Sequence, residues 1–368
     1  MNVERLHAIA TELRRDLDQT AALSLLQNLV SSLSNQVSQP QQPQYQQQTS
    51  QYLTQLLDAL RKASVNSFSP TWQQVLDEIG ATQLTGSELA SAIEDIFARN
   101  QITPSVAQQE LQELLNRLQQ VSAALDQLLA ACRALKVGTE SLSPGECELG
   151  VLVPRAFLNN QLDRFATELE ELNQIFGVFA EISTGARPGF QIKTISSTDL
   201  SVYLEVSAIV AACIATALER IIALYKQLLE IRKLQGELAK QGLEKKNLKG
   251  IEDHANGVME AGIDKLVQEI VSEYLKESDA GRKNELSIEL KYSLKKLANR
   301  VDRGFNIEVR MAEPEVAAEN PEEATEEEKA LLKAHEKVSQ ATENMQFLKL
   351  EGEPVLQLSE SKPDKAPG

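Results

Sequence analysis

Aromatic residues are scarce in this sequence, where they make up 4% of 368 residues and Trp72 is the single tryptophan. Hydrophobic residues still reach 42%, so the core must be built mainly from leucine, isoleucine, valine and alanine. These side chains suit the packing of helices against one another. The composition therefore favours a mainly α protein, and the length allows about two or three domains.

Cysteine is also rare, and the chain contains only Cys132, Cys147 and Cys213. An odd number of widely spaced cysteines does not form a disulfide framework, and free thiols of this kind are typical of a reducing compartment. The first residues are charged and contain no apolar signal-peptide segment. We therefore expect a soluble, cytoplasmic protein.

Positive charge is in deficit, because 37 lysines and arginines face 53 acidic residues and the net charge is −16. This balance argues against binding to duplex nucleic acid, which needs clustered lysine and arginine, and against attraction to anionic membranes. The longest uncharged apolar run, at 206–218, falls short of the ~20 residues that span a bilayer. Glu219 and Arg220 follow it at once, so we expect no nucleic-acid partner and no stable membrane insertion.

The motifs that commonly carry chemistry are missing. No glycine-rich phosphate loop, nucleophile elbow, CxxC or HxxxH pattern occurs in the sequence. His7, His254 and His335 are far apart along the chain, whereas metal sites need clustered ligands. We therefore expect no catalytic residue, metal or cofactor.

The N-terminal third of the sequence has helical periodicity. Residues 1–36 predict an amphipathic helix, 37–50 a Gln/Pro-rich linker, and 51–136 a helical bundle or coiled-coil region. In the last region, apolar residues recur at alternating steps of three and four, which is typical of a helix–helix seam. This seam comprises Leu111, Leu114, Leu118, Val121, Leu125 and Leu128. The pattern leaves open whether the seam joins a bundle or a coiled coil with a partner.

A composition change after residue 136 predicts a small α+β domain at 147–311, built around one long apolar helix that starts near residue 206. Short β-branched or alternating segments at 148–153, 190–206 and 305–310 predict its strands. Gly257 and Gly262 interrupt another predicted helix, and such glycines usually allow close approach of a neighbouring helix.

The C-terminal part is predicted to contain an acidic linker at 312–325, an amphipathic helix at 326–349 and a disordered tail at 350–368. Thr325 and Glu328 have the spacing of a capping box. Leu331, Val338 and Met345 form a second stripe at helical spacing. Such a helix could lie in a groove of its own domain, of a second copy or of another protein.

One group of polar residues could bind a ligand, in particular an anion. It consists of Arg155, Arg187, Ser196, Ser197 and Asp199, which border the predicted strands. Hydroxyl and carboxylate groups in such runs more commonly cap turns. The sequence therefore favours a non-catalytic interaction or scaffold protein that associates with itself or a partner through helical surfaces. The alternative is a ligand-sensing regulator or enzyme with its site at these strand ends.

Overall fold

The computed structural model describes residues 3–139, 142–196, 200–240, 249–315, 325–344, 350 and 353–361. The chain divides into an N-terminal unit, residues 2–141, and a C-terminal unit that begins at Leu142. The described residues are mainly helical and include a four-stranded antiparallel sheet. The predicted combination of a mainly helical chain with a small sheet is therefore confirmed.

The N-terminal unit is helical throughout its described secondary structure. Its helices are α1 (Val3–Gln19), α2 (Ala22–Ser38), α3 (Pro43–Arg61), α4 (Pro70–Glu78), α5 (Gly86–Arg99) and α6 (Pro104–Ala134), with 3₁₀ turns at Ser64–Ser67 and Thr82–Leu84. The long helix α6 packs against α1, α2 and α5. Its apolar stripe therefore lies in the core of this unit.

The segment predicted as one helix at 1–36 contains two helices. The break falls at Thr20 and Ala21, where Ala21 takes a left-handed φ of 49°. The Thr20 hydroxyl donates to the Asp16 carbonyl at 2.8 Å, which adds to the bond that this carbonyl accepts from the Thr20 N–H at the end of α1. This sharp change of direction lets α1 and α2 both pack against α6.

The structure also differs from the linker predicted at 37–50, because α3 begins at Pro43. Proline is favoured in the first turn of a helix, and glutamine is an ordinary helix former. Ser32 and Thr49 link α2 and α3 through a buried hydroxyl–hydroxyl hydrogen bond of 3.0 Å. Leu56 and Leu60 are buried in the core, so the helix is anchored from its far end. The connection between α2 and α3 is therefore a short turn at 39–42.

The C-terminal unit combines one sheet with six helices among its described residues. Its elements are β1 (Cys147–Val153), α7 (Arg155–Leu158), α8 (Leu162–Thr184), β2 (Gln191–Ser196), β3 (Leu200–Val206), α9 (Ala208–Lys240), α10 (Lys249–Tyr274), α11 (Ala280–Asp302), β4 (Asn306–Met311) and α12 (Glu326–Asn344).

The strands lie in the order β2-β3-β1-β4, and every neighbouring pair is antiparallel. Leu149 on β1 lies opposite Leu204 on β3 and Val309 on β4. Alternate residues of a strand share a face, so these side chains and Val151 form one apolar face. That face belongs to the same core as α8, α9, α10 and α11.

Helix α9 is the centre of this core and packs against α8, α10, α11 and α12 as well as β1 and β4. The absence of charge at 206–218 follows from this contact on all sides. Among the described residues, Ala208–Gln235 is long and apolar enough to cross a bilayer by length and composition, although the sequence suggested a shorter run. Most of that apolar stretch is buried within the protein, as in the core helices of globular proteins.

The two glycines of α10 have different surroundings. A Cβ atom at Gly262 would come within 2.4 Å of a methyl group of Leu224 on α9, whereas a Cβ at Gly257 would meet nothing within 4 Å. Close helix approach therefore explains Gly262 but not Gly257.

This difference gives a matched pair of substitutions on one helix. We expect Gly257→Ala to raise the free energy of unfolding by up to about 1 kcal/mol, because alanine is the better helix former. Gly262→Ala gains the same propensity but overpacks the contact with Leu224, which costs about 1–3 kcal/mol. Denaturant unfolding should give a lower free energy of unfolding for Gly262→Ala than for Gly257→Ala. Equal stabilisation by both would show that the Leu224 side chain moves aside at little cost.

Two C-terminal predictions fall partly outside the described residues. Thr325 and Glu328 do form a capping box, since each backbone N–H donates to the other side chain. Helix α12 ends at Asn344, and 316–324 and 345–349 lie outside the described residues.

The tail predicted as disordered at 350–368 contains an ordered segment at 353–361. Its Val355 and Leu356 are buried in the core. The segment hydrogen-bonds Asn256 on α10 and Asn299 on α11, and the burial of its few apolar side chains stabilises it although its composition is mostly polar.

Candidate functional site

The predicted ligand-binding residues are only partly brought together. Arg155 follows the end of β1 by two residues, after Pro154, and the end of β1 lies beside the start of β3. Ser196, the last residue of β2, lies opposite Ser201 on β3. Arg155 and Ser196 therefore share one end of the sheet, where Arg155 is exposed and Ser196 is buried. Ser197 and Asp199 lie outside the described residues.

Arg187 belongs to the opposite end of the sheet. It precedes β2, whereas Ser196 ends that strand, and the five residue-to-residue steps from Gln191 to Ser196 span about 16 Å of extended chain. The Arg187 guanidinium forms ion pairs with Glu181 and Glu289. Burial of Glu181 opposes its ionisation, but hydrogen bonds from Arg282 and Arg187 outweigh this effect and lower the pKa of the carboxyl. Arg187 therefore has a structural role here and does not join the predicted anion site.

The predicted interaction seams lie largely inside the units. On α6, Leu111, Leu114, Leu118 and Leu125 are buried, and Val121 and Leu128 pack against the same N-terminal core. On α12, Val338 is buried in the C-terminal core and Leu331 is half-buried, while Met345 lies outside the described residues. The helical periodicity that suggested partner binding is therefore used in the packing of this chain itself.

No group of three or more histidine, cysteine or acidic residues that could hold a metal ion occurs in the described part of the chain. All three cysteines are free and buried. Burial raises the pKa of the Cys147 thiol to about 12, and it raises the pKa of Cys213 as well. Both thiols therefore stay protonated at neutral pH, which disfavours nucleophilic chemistry.

A buried polar network that the sequence analysis missed joins α9 to α11. The Tyr225 hydroxyl donates to Asp302 Oδ1 at 2.5 Å, and Arg232 Nη1 donates to the same oxygen at 2.8 Å. Arg232 also donates to the Tyr225 hydroxyl at 2.7 Å and to the Asp302 carbonyl at 2.6 Å. Burial, together with the Asp302 carboxylate, raises the pKa of Tyr225. The phenol therefore stays protonated and acts as a hydrogen-bond donor.

The sequence did contain a signal for this network. Arg232 follows Tyr225 by seven residues, so it continues the apolar stripe of α9 at a position where a charged residue is unexpected. A charge in such a position needs a buried partner, and Asp302 provides it.

A second buried ion pair joins α8 to α11. Arg300 binds Glu168 through two parallel hydrogen bonds, from Nε to Oε1 at 2.5 Å and from Nη2 to Oε2 at 3.1 Å. Both side chains are almost completely buried. Burial raises the pKa of Glu168, although the hydrogen bonds and charge of Arg300 act in the opposite direction. Bidentate geometry of this kind fixes the relative position of the two helices.

The N-terminal unit contains a pocket of about 420 Å³ between α2, α3 and the junction of α5 with α6. Leu33 and Phe97 provide apolar walls, and Gln36 and Asn100 provide amide groups. No charged side chain belongs to its described lining.

β2 and β4 are the two edge strands of the sheet. β4 packs against α9 and α12 and its middle residues are buried, whereas most of β2 is exposed or half-buried. Ile192 lies opposite Leu204 and Ile195 opposite Val202, with a register shift between Ile192 and Thr194. Because of this shift, Ile192 and Ile195 point to the apolar face of the sheet, yet they are 61% and 52% exposed.

The chain matches no protein-family model, no curated protein and no solved structure. Its function must therefore be inferred from its own geometry. Two features stand out: the open edge at β2, and the groove that holds the ordered C-terminal segment.

Proposed function

We propose that this protein is a non-catalytic interaction protein that associates with a second copy of itself through the edge of β2. The observation that carries this proposal is the exposure of Ile192 and Ile195 beside an open strand edge. An open edge offers backbone hydrogen bonds to another strand, and exposed apolar side chains add burial when it is covered. The seams of α6 and α12 serve internal packing, so association through helical surfaces is the weaker alternative.

Self-pairing of β2 explains the positions of its side chains. In an antiparallel pair centred between Lys193 and Thr194, Ile192 of one protomer lies opposite Ile195 of the other, on the same face. The two sheets then form one continuous sheet around a two-fold axis. β2 carries no acidic residue that would repel its copy.

Lysine often protects a sheet edge against such pairing. Here Lys193 forms an ion pair with Glu146 of its own chain, and this hydrogen bond lowers the pKa of Glu146. The pair neutralises the cation that would otherwise lie near the two-fold axis. Three free cysteines support the cytoplasmic location that forms part of this proposal.

Oligomeric state tests the proposal directly. We expect light scattering and sedimentation to detect a dimer when the protein concentration is raised to about 100 μM. This range is wide enough to reveal the weak association that is typical of small interfaces. Ile195→Lys places a lysine opposite Ile192 of the other protomer, twice in the dimer, and removes the apolar contact there. It should raise the dissociation constant at least about tenfold, a change of about 1.4 kcal/mol.

Ile102→Lys is the matched control, because Ile102 is 93% exposed and lies in the N-terminal unit, outside the sheet. Its dimer should be as strong as that of the unaltered chain. A monomer throughout the concentration range, or equal weakening by both substitutions, would overturn the proposal. Circular dichroism confirms that each variant is folded.

A further inference from the structure

The ordered segment at 353–361, which we call the strap, packs its apolar residues into the C-terminal core. Val355, Leu356 and Leu358 are 0%, 1% and 5% exposed. Gln357, between two of them, is exposed. The strap is therefore an extended segment whose side chains alternate between core and solvent from Leu356 onward, and it lies beside α10 and α11.

The groove that holds the strap binds its backbone with side-chain amides and a carboxylate. The N–H of Leu356 donates to Asp302 Oδ2 at 2.7 Å, and the N–H of Gln357 donates to Asn256 Oδ1 at 2.8 Å. Asn299 binds Leu358 twice: its Oδ1 accepts from the N–H at 3.1 Å and its Nδ2 donates to the carbonyl at 3.0 Å. Asn299 thus acts on the strap as a neighbouring strand would.

The end of the groove is basic and faces an acidic residue of the strap. Glu360 accepts a hydrogen bond from Asn299 Nδ2 at 2.7 Å. Arg300 and Arg303 lie 3.7 Å and 3.9 Å from the Glu360 carboxylate. Asn299 and Arg303 therefore favour a carboxylate at this position, two residues after the last buried leucine, while Arg300 is already paired with Glu168.

The strap covers both polar and apolar groups of the groove. Asn299 and Asp302 are 1% and 0% exposed with the strap in place, and both hydrogen-bond it. Departure of the strap would break these bonds and expose Val355, Leu356, Leu358 and the apolar surface they cover to water, which is unfavourable unless another segment replaces it. The backbone bonds place no demand on the side chain at position 357, so a related segment from elsewhere can satisfy them equally well.

We infer that the groove between α10 and α11 is a binding site for an extended acidic peptide, occupied in cis by the strap. Its ligand has apolar residues at the positions of Leu356 and Leu358 and a carboxylate at that of Glu360. A partner segment with this chemistry binds when the strap leaves, so the strap is an internal competitor. This inference does not depend on pairing of β2.

The test uses the full-length chain and a fluorescent peptide with the sequence of residues 353–361. Leu356→Asp in the protein should release the strap, because it places a charge in the core. We expect the peptide to bind this variant at least about 100-fold more tightly than the unaltered chain, whose tethered strap competes at high effective concentration. Fluorescence anisotropy measures both affinities.

Gln357→Asp is the matched control, since it introduces the same side chain at the neighbouring, exposed position. It should keep the strap bound and exclude the peptide. A peptide carrying the Leu356→Asp change should not bind the released protein. Failure of the folded Leu356→Asp protein to bind the peptide, or equal binding by the Gln357→Asp protein, would overturn the inference.

Should Leu356→Asp fail to fold, a protease site placed within 345–352 gives a second test. The folded chain is cut there, and the labelled peptide is added. Saturable replacement of the cleaved C-terminal fragment by the peptide supports the inference. A fragment that stays bound at saturating peptide contradicts the inference, and so does a groove that the peptide fails to fill after the fragment has dissociated.

Discussion

Replacement of Asp302 by alanine is expected to lower the free energy of unfolding by about 3–5 kcal/mol, which is the usual effect of removing one partner from a buried ion pair. Asp302 is completely buried and pairs with Arg232, accepts from Tyr225 and receives the backbone N–H of Leu356. Its loss leaves a guanidinium in the core without that carboxylate. Whole domains are stable by only about 5–15 kcal/mol, so this loss is a large fraction of the stability of the C-terminal unit.

Asp279→Ala provides a control at the other end of α11. Asp279 caps the helix by accepting from the Arg282 N–H at 2.7 Å, and loss of such a cap costs about 1 kcal/mol. Denaturant unfolding followed by circular dichroism compares the two variants. Hydrogen exchange along α9 and α11 should accelerate in Asp302→Ala. A cost for Asp302→Ala no greater than that for Asp279→Ala would show that the network contributes little.

Arg300→Met is expected to have an effect of similar size, about 3–5 kcal/mol at pH 7, because it leaves the Glu168 carboxylate buried without its partner. The double variant Glu168→Met with Arg300→Met removes both charges, and we expect it to recover most of this loss. Glu269→Gln breaks the exposed pair of Glu269 with Arg220 and should cost less than about 1 kcal/mol.

The cost of Arg300→Met should also depend on pH, with a definite sign. Burial already raises the pKa of Glu168, and removal of Arg300 raises it further. Below the unfolded-state pKa of about 4.3, Glu168 is protonated in both states, and the cost is small. As pH rises above that value, the unfolded chain ionises first, so the variant loses stability. A cost that falls between pH 4 and pH 7 would contradict this account.

Local patterns in the sequence were sufficient for the fold class. The uncharged run at 206–218 and the β-branched segments around 148–153 and 305–310 predicted the main elements of the C-terminal unit. They did so because the positions buried on all sides of α9 and on one face of the sheet must be apolar, and this requirement produces a recognisable hydrophobic pattern in the sequence.

Two segments were mispredicted because composition was taken as evidence of disorder. The glutamines of α3 are mostly exposed, and its order depends on Leu56, Leu60 and the Ser32–Thr49 bond, which link it to distant residues. The strap is ordered by Asn256, Asn299 and Asp302, which precede it by about 55–100 positions. Contacts of this kind leave no local pattern.

The candidate ligand site failed for a related reason. Arg155, Arg187 and Ser196 all border strands, but strand register decides which border residues meet. Antiparallel pairing places Arg155 and Ser196 at one end and Arg187 at the other. The buried partners of Arg232 and Arg300 likewise depend on helix packing, which the stripes of single helices do not specify.

The position of β4 has a consequence for how the chain is made. β1 lies between β3 and β4, so one of its edges stays unpaired until β4 is made. The paired residues Leu149 and Val309 are about 160 positions apart in the sequence. At ribosomal rates of about 5–20 residues per second, that interval lasts about 8–32 s. During it, the β2–β3 hairpin can pair with β1, but the apolar edge of β1 has no native neighbour. A nascent chain stalled before residue 306 should therefore bind chaperones. A chain stalled after β4 has emerged from the ribosome should not.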